Sequence, residues 1–406
     1  MPPAPEIYTR AREGKSHEGP SRCHGGLDPA IHLSARFSLS LGVVMRTPKL
    51  LSAGLLAAAL AAPPALSQPS AKPVPLTPAM SRTLDGIFAG FKYHPLVGLS
   101  DVHGLAQEED LYAALLRDPR FARDVGNVVV EFGGASQQAV VDRYVNGADI
   151  PYTELRKVWS EVVGLIPTTV YLGQINVYAV VRAVNSALPP NRRIKIWLGE
   201  PEIDWPKVTT FQQWHDLVGQ RDTHPADLIV QILAKRQKAL VIYGNGHLND
   251  APDNLRSIVE NKYPGAFFVV TPYSGYHEAA CAVKFEKALG WEVPHLATPV
   301  KGTALEGRIR QPGCHATDPA GVTARTAAGK NRLLDDFLET NFALNGNALL
   351  YLGPKESLRR SPASPDLYLD RDYRREMDRR YRLMTKTPLD INTVERNPAT
   401  NQPYEP

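Results

Sequence analysis

From residue 96 onward, short apolar runs of strand composition alternate with longer stretches in which apolar residues recur at helical spacing. The runs lie at 96–102, 127–132, 193–198, 239–243, 266–271 and 348–352. Between them the spacing predicts helices at 106–117, 135–146, 153–163, 174–187, 225–237, 252–262 and 277–289. The strands are continuously apolar rather than alternating, which calls for burial on both faces. The expected fold class is therefore α/β: a largely parallel central sheet with helices on both faces, one large domain over 81–353. After residue 354 the character changes. A Pro/Ser break at 361–365 precedes a charged, Arg-rich helix at 370–382, expected to lie solvated or packed on the domain surface, and an irregular end.

The amino-terminal part has no such pattern. Residues 45–67 have a positive start (Met45-Arg46-Thr47-Pro48-Lys49), a short uncharged apolar core and a small-x-small ending at Ala65-Leu66-Ser67. These are the three parts of a secretory signal peptide, and the apolar stretch is too short to cross a bilayer comfortably. The expected reading is an upstream extension over 1–44, translation starting at Met45, a signal peptide over 45–67 and a Pro/Ala/Ser linker over 68–80. Export to the periplasm or the medium follows, with no transmembrane anchor after cleavage.

Composition changes the picture once this segment is set aside. The 406 residues are 43% hydrophobic and 22% charged, which excludes collagen-like and disordered chains. The formal charge of +4 invites a nucleic-acid or membrane-surface partner. Residues 1–67, however, carry seven Lys or Arg against four Asp or Glu, leaving 39 against 38 in the rest. A nearly neutral protein has no electrostatic reason to bind nucleic acid, and the expected partner is a small-molecule or peptide substrate. Of three cysteines, Cys23 falls in the upstream segment; Cys281 and Cys314 remain, and in an oxidising compartment they are most simply one disulfide.

Candidate chemistry sits where an open parallel sheet binds ligands, beyond the carboxyl ends of its strands. The first strand is followed by Ser100-Asp101-Val102-His103-Gly104, and the second ends in Glu131-Phe132-Gly133-Gly134. The third ends in Gly199-Glu200-Pro201, and the fourth in Gly244-Asn245-Gly246-His247. Asp101 and His247 could each serve a turn, and His103 could neighbour a helix cap. Glu131 directly after three valines is costly to bury unless paired. Together the residues suit either a divalent metal (Mn, Co or Zn) held by His103, Glu131 and His247, or a metal-free Glu/His acid–base pair. Arg221-Asp222-Thr223-His224 precedes Pro225: Asp222 or Thr223 reads as a helix cap, and Arg221 either pairs with a site carboxylate or grips an anionic substrate. His277-Glu278-Ala279-Ala280-Cys281 misses the His-Glu-x-x-His zinc motif by one residue. Gly-x-Ser-x-Gly, Walker A, Gly-x-Gly-x-x-Gly and Cys-x-x-Cys-His are all absent, which disfavours serine-hydrolase, nucleotide and covalent-haem chemistry.

At these residues the sequence resembles the superfamily that joins erythromycin esterase-like proteins, ChaN-like haem-binding proteins and the TraB/Tiki group. Its hallmark is Gly-Glu-x-His after the first strand, Glu after the second and a later Gly-x-x-His. The matching positions here are Ser100-Asp101-Val102-His103, Glu131 and Gly244-Asn245-Gly246-His247, with Arg221-Asp222 similar to a pair in the esterase-like members. The first motif departs by Ser for Gly and by Asp for Glu, a carboxylate one methylene shorter. The resemblance implies three activities: lactone hydrolysis, metal-dependent proteolysis or haem binding. The leading expectation is an exported hydrolase in which Glu131 and His103 activate water, directly or through a metal. His247 is then a second acid/base or ligand, Asp101 orients His103, and Arg221 balances charge or binds an anion. The alternative is a periplasmic haem- or ligand-binding protein with axial ligands drawn from Tyr273, Tyr276 and His277; a member without catalysis is the third.

Overall fold

The computed structural model describes residues 75–164, 171–249, 251–273, 290–298, 346–354, 357–362 and 364–389. Helix α1 (Pro78–Tyr93) starts on Thr77, whose hydroxyl accepts from the Met80 amide, with Pro78 in the first turn. It thus takes in Pro78–Met80, which the composition had assigned to the linker, and buries Ala79. Then come β1 (Leu96–Asp101), α2 (Ala106–Arg117), α3 (Pro119–Asp124), β2 (Asn127–Gly134) and α4 (Gln138–Val145). The turns α5 (Tyr152–Leu155) and α6 (Lys157–Ser160) replace the single helix expected over 153–163. They are followed by α7 (Leu172–Ser186), β3 (Lys195–Glu200), α8 (Phe211–Val218), α9 (Gln220–Ala234), β4 (Ala239–Gly244), α10 (Asn245–Leu248), α11 (Leu255–Lys262) and β5 (Phe267–Pro272). The described chain ends with β6 (His295–Ala297), β7 (Ala348–Tyr351), α12 (Asp366–Leu369) and α13 (Arg371–Thr385).

The seven strands among the described residues form one sheet in the order β3-β2-β4-β1-β5-β7-β6. All neighbours are parallel except β6, which runs antiparallel to β7. The fold is a single α/β domain, as the pattern predicted. Alternation along each strand divides the core. Leu99, Val130 and Ile242 pack with Ile87 of α1, Leu115 of α2 and Val181 of α7. Val129, Val241 and Tyr243 pack with Ile229 of α9 and Val259 of α11 on the other face. Both faces being covered, β1, β2 and β5 are buried at every residue, which is why they read as unbroken apolar runs.

Two further features depart from expectation. Helix α9 begins at Gln220 rather than 225, so Pro225 lies inside it and Gly219 takes the cap position. The cap duty assigned to Asp222 or Thr223 is therefore not what α9 uses. The tail helix α13 packs: Met384 joins Val163, Trp205 and Trp214 in a separate apolar cluster, and Arg380 Nη1 donates to the Ser160 carbonyl at 2.7 Å. Among the described residues no helix is long and apolar enough to cross a membrane.

Candidate functional site

The sheet order makes the four chemically marked strand ends neighbours. β3, β2, β4 and β1 lie side by side, and Asp101 is in register with Gly244. Glu131 stands at the centre, 2% exposed. Its Oε2 accepts the Gly244 amide at 2.6 Å and its Oε1 accepts Arg221 Nη2 at 2.6 Å. Two imidazoles face the same Oε1, His247 Nε2 at 3.5 Å and His103 Nε2 at 3.9 Å. Gly244 permits this approach, since a Cβ there would lie 3.3 Å from Glu131 Oε2.

Each imidazole is held from behind. His103 Nδ1 donates to Asp101 Oδ2 at 2.6 Å, and His247 Nδ1 donates to Asp222 Oδ1 at 2.6 Å. A carboxylate can only accept, so the proton sits on Nδ1 in both rings. Asp101 is itself fixed by the Tyr112 hydroxyl at 2.7 Å and Gln174 Nε2 at 2.7 Å. The chain leaves His103 through Gly104, whose φ of +84° suits glycine and whose backbone lies against the Tyr171 ring. Close behind, burial pushes the Glu109 carboxyl up to about 8 and raises Glu108 well above its ordinary range.

Arg221, 5% exposed, joins two strand ends: its Nε donates to Glu200 Oε1 at 2.7 Å while Nη2 serves Glu131. The other Glu200 oxygen accepts the Val163 and Gly164 amides at 3.0 and 2.7 Å. Arg221 thus pairs with two site carboxylates, one of the two duties expected of it. Gly164 leaves room for it, since a Cβ there would fall 1.8 Å from Arg221 Cζ. A Gly164→Ala variant should therefore lose about 1–3 kcal/mol of stability in urea denaturation, because the pinned guanidinium cannot move aside without breaking an ion pair.

The electrostatics follow from this packing. Burial opposes charge on His103, but Asp101 and Glu131 outweigh it and raise its pKa to about 9. His247 is likewise raised to about 9, Glu131 and the hydrogen bond to Asp222 overcoming burial. Burial would push Glu131 up, but His247, His103 and Arg221 hold it well below the usual carboxylate range. A carboxylate so stabilised is a weak base.

The metal expectation does not fit the donor set. The Glu131 oxygen that both imidazoles face already carries a guanidinium, whose charge repels a cation, and its other oxygen is taken by a backbone amide. Among the described residues no three His, Cys, Asp or Glu groups are arranged to hold a metal ion. Tyr276, His277, Cys281 and Cys314, and with them two candidate haem ligands and the expected disulfide, lie outside the described residues. Sequence reasoning missed Tyr112 and Gln174, and named Asp222 only as a helix cap and as part of the Arg221-Asp222 pair. Tyr112 and Gln174 occupy buried helical positions with nothing to separate them from core residues, whereas Asp222 was marked by adjacency to Arg221.

No family model and no curated protein matches the chain. Among solved structures, it is similar to the haem-binding protein ChaN of Campylobacter jejuni at 12% identity and a TM-score of 0.29, over 47% of this chain and 85% of that one. It is similar to the type III effector HopBA1 at 14% identity and a TM-score of 0.30, over 49% and 85%. A protein from Bacillus cereus is matched over its full length, 71% of this chain, at 10% identity and a TM-score of 0.38. At these identities and scores the reading of the site rests on its own geometry.

Proposed function

We propose that the chain is a hydrolase of an ester, lactone or peptide carbonyl that uses His103 and His247, both facing Glu131, as base and acid. The observation that supports this most directly is the convergence of both Nε2 atoms on one oxygen of an ionised, buried carboxylate. Water attacks the carbonyl carbon as neutral His103 takes its proton at Nε2. When the tetrahedral species collapses, protonated His247 gives its Nε2 proton to the leaving oxygen or nitrogen. Glu131 stabilises the imidazolium that forms, and Asp101 keeps His103 in the tautomer that presents Nε2. The same reading places the protein outside the cytoplasm, on the strength of the signal-like segment over 45–67.

A panel of aryl esters, lactones and peptides tests it. His103→Gln and His247→Gln should each lower kcat/KM on the accepted substrate about 10²–10³-fold, the usual worth of one acid or base group. Turnover unchanged in both folded variants would sink the reading.

A further inference from the structure

We propose that Asp222 is a positioning residue for His247, the counterpart of Asp101 for His103. The inference rests on the hydrolase reading for its kinetic meaning, but its geometry stands apart from it. Asp222 lies in the first turn of α9, where Gly219 occupies the cap position, so the carboxylate is not spent on its own helix. Its Oδ1 accepts both the His247 Nδ1 proton at 2.6 Å and the Leu255 amide at 2.8 Å. The Leu255 bond fixes the carboxylate from α11, so the oxygen is already aimed when the imidazole meets it. Asp101 is prepared in the same way by Tyr112 and Gln174. Two separate parts of the chain, the end of β1 and the start of α9, thus build the same carboxylate–imidazole unit facing one oxygen of Glu131. Helix capping of α11 would need only the Leu255 bond.

The consequence is a fixed ring. A free imidazole exchanges tautomers and rotates; with Nδ1 held by Asp222, only Nε2 faces the reacting side. The other groups around this ring are Glu131 from β2, Arg221 from α9 and the Tyr243 ring of β4, edge-on at 5.4 Å. None of these is hydrogen-bonded to Nδ1.

Two variants and two readouts test the proposal on the full chain. Asp222→Ala removes the acceptor. Asp222→Asn keeps an oxygen for Leu255 and removes only the charge, which guards against misfolding. Both should lower kcat about 10²-fold with KM unchanged, since the ring acts in the transition state rather than in substrate binding. Independently of any turnover, the strongly downfield Nδ1 proton of His247 in the wild-type NMR spectrum should vanish in Asp222→Ala. If that proton persists, or if folded Asp222→Ala loses stability but no kcat, Asp222 merely caps α11 and the proposal is overturned. If no substrate is ever turned over, the hydrolase reading fails while the proton resonance still decides the role of Asp222.

Discussion

Arg221→Met is expected to lower stability by about 3–5 kcal/mol, the cost of stranding buried charge when one partner of an ion pair is removed. Two carboxylates are stranded here. Glu131 and Glu200 are 2% and 0% exposed, and each directs an oxygen at the guanidinium at 2.6 and 2.7 Å. Methionine fills much of the volume, so the loss measured by urea denaturation is electrostatic rather than a cavity effect. The double variant Arg221→Met/Glu200→Gln should recover part of it. The Gln amide oxygen can still accept from Val163 and Gly164, while the second uncompensated charge is gone. An Arg221→Met midpoint equal to that of the wild type would mean that the clamp contributes nothing to folding.

The same clamp shows what could be read in the chain and what could not. The sheet was legible because β1, β2, β4 and β5 are buried on both faces and are therefore largely apolar, with the charged site residues falling toward their carboxyl ends. Strand β6 escaped notice because three residues, two of them only half-buried, carry no periodicity. Helix α1 escaped in part because its Thr77-Pro78 start resembles the Pro/Ala/Ser stretch before it. Helix α9 was started five residues late because Pro225 is a strong local stop signal. Tertiary contacts override it: Arg221 and Asp222 are held by Glu131, Glu200 and His247, which settles the first turn around them. The strand-end residues stood out because a charged group after an apolar run needs a partner. Which partner it takes depends on strand order. The chain visits β1, β2 and β3 before β4 returns to lie between β1 and β2, and that insertion, invisible to local spacing, brings His247 to Glu131.

Glu131→Gln should have the largest effect on turnover, about 10⁴-fold, because it removes the charge that both imidazoles use. Its signature is in the pH dependence. In the wild type His103 and His247 are raised to about 9, against an ordinary value near 6.5. The folded protein therefore keeps protons that the unfolded chain releases on going from pH 6.5 to 9. Stability from this source is fully present below about pH 6.5 and is lost as pH rises through about 9. Its upper limit is about 3 kcal/mol per imidazole, and the two do not add, because both draw on Glu131 and titrate as a pair. Urea midpoints should accordingly fall between pH 7 and 10 in the wild type and fall less in Glu131→Gln. Activity should move the opposite way up to about pH 9. Hydrolysis needs one imidazole neutral as base and the other protonated as acid, so wild-type kcat/KM should climb through neutrality to a maximum near pH 9 and fall above it. In Glu131→Gln the imidazoles keep only Asp101 and Asp222 as counter-charges, so the weaker activity should reach its maximum at lower pH. A Glu131→Gln profile with its rise at the wild-type pH would show that the imidazoles do not titrate against this carboxylate, and the mechanism built around it would have to be abandoned.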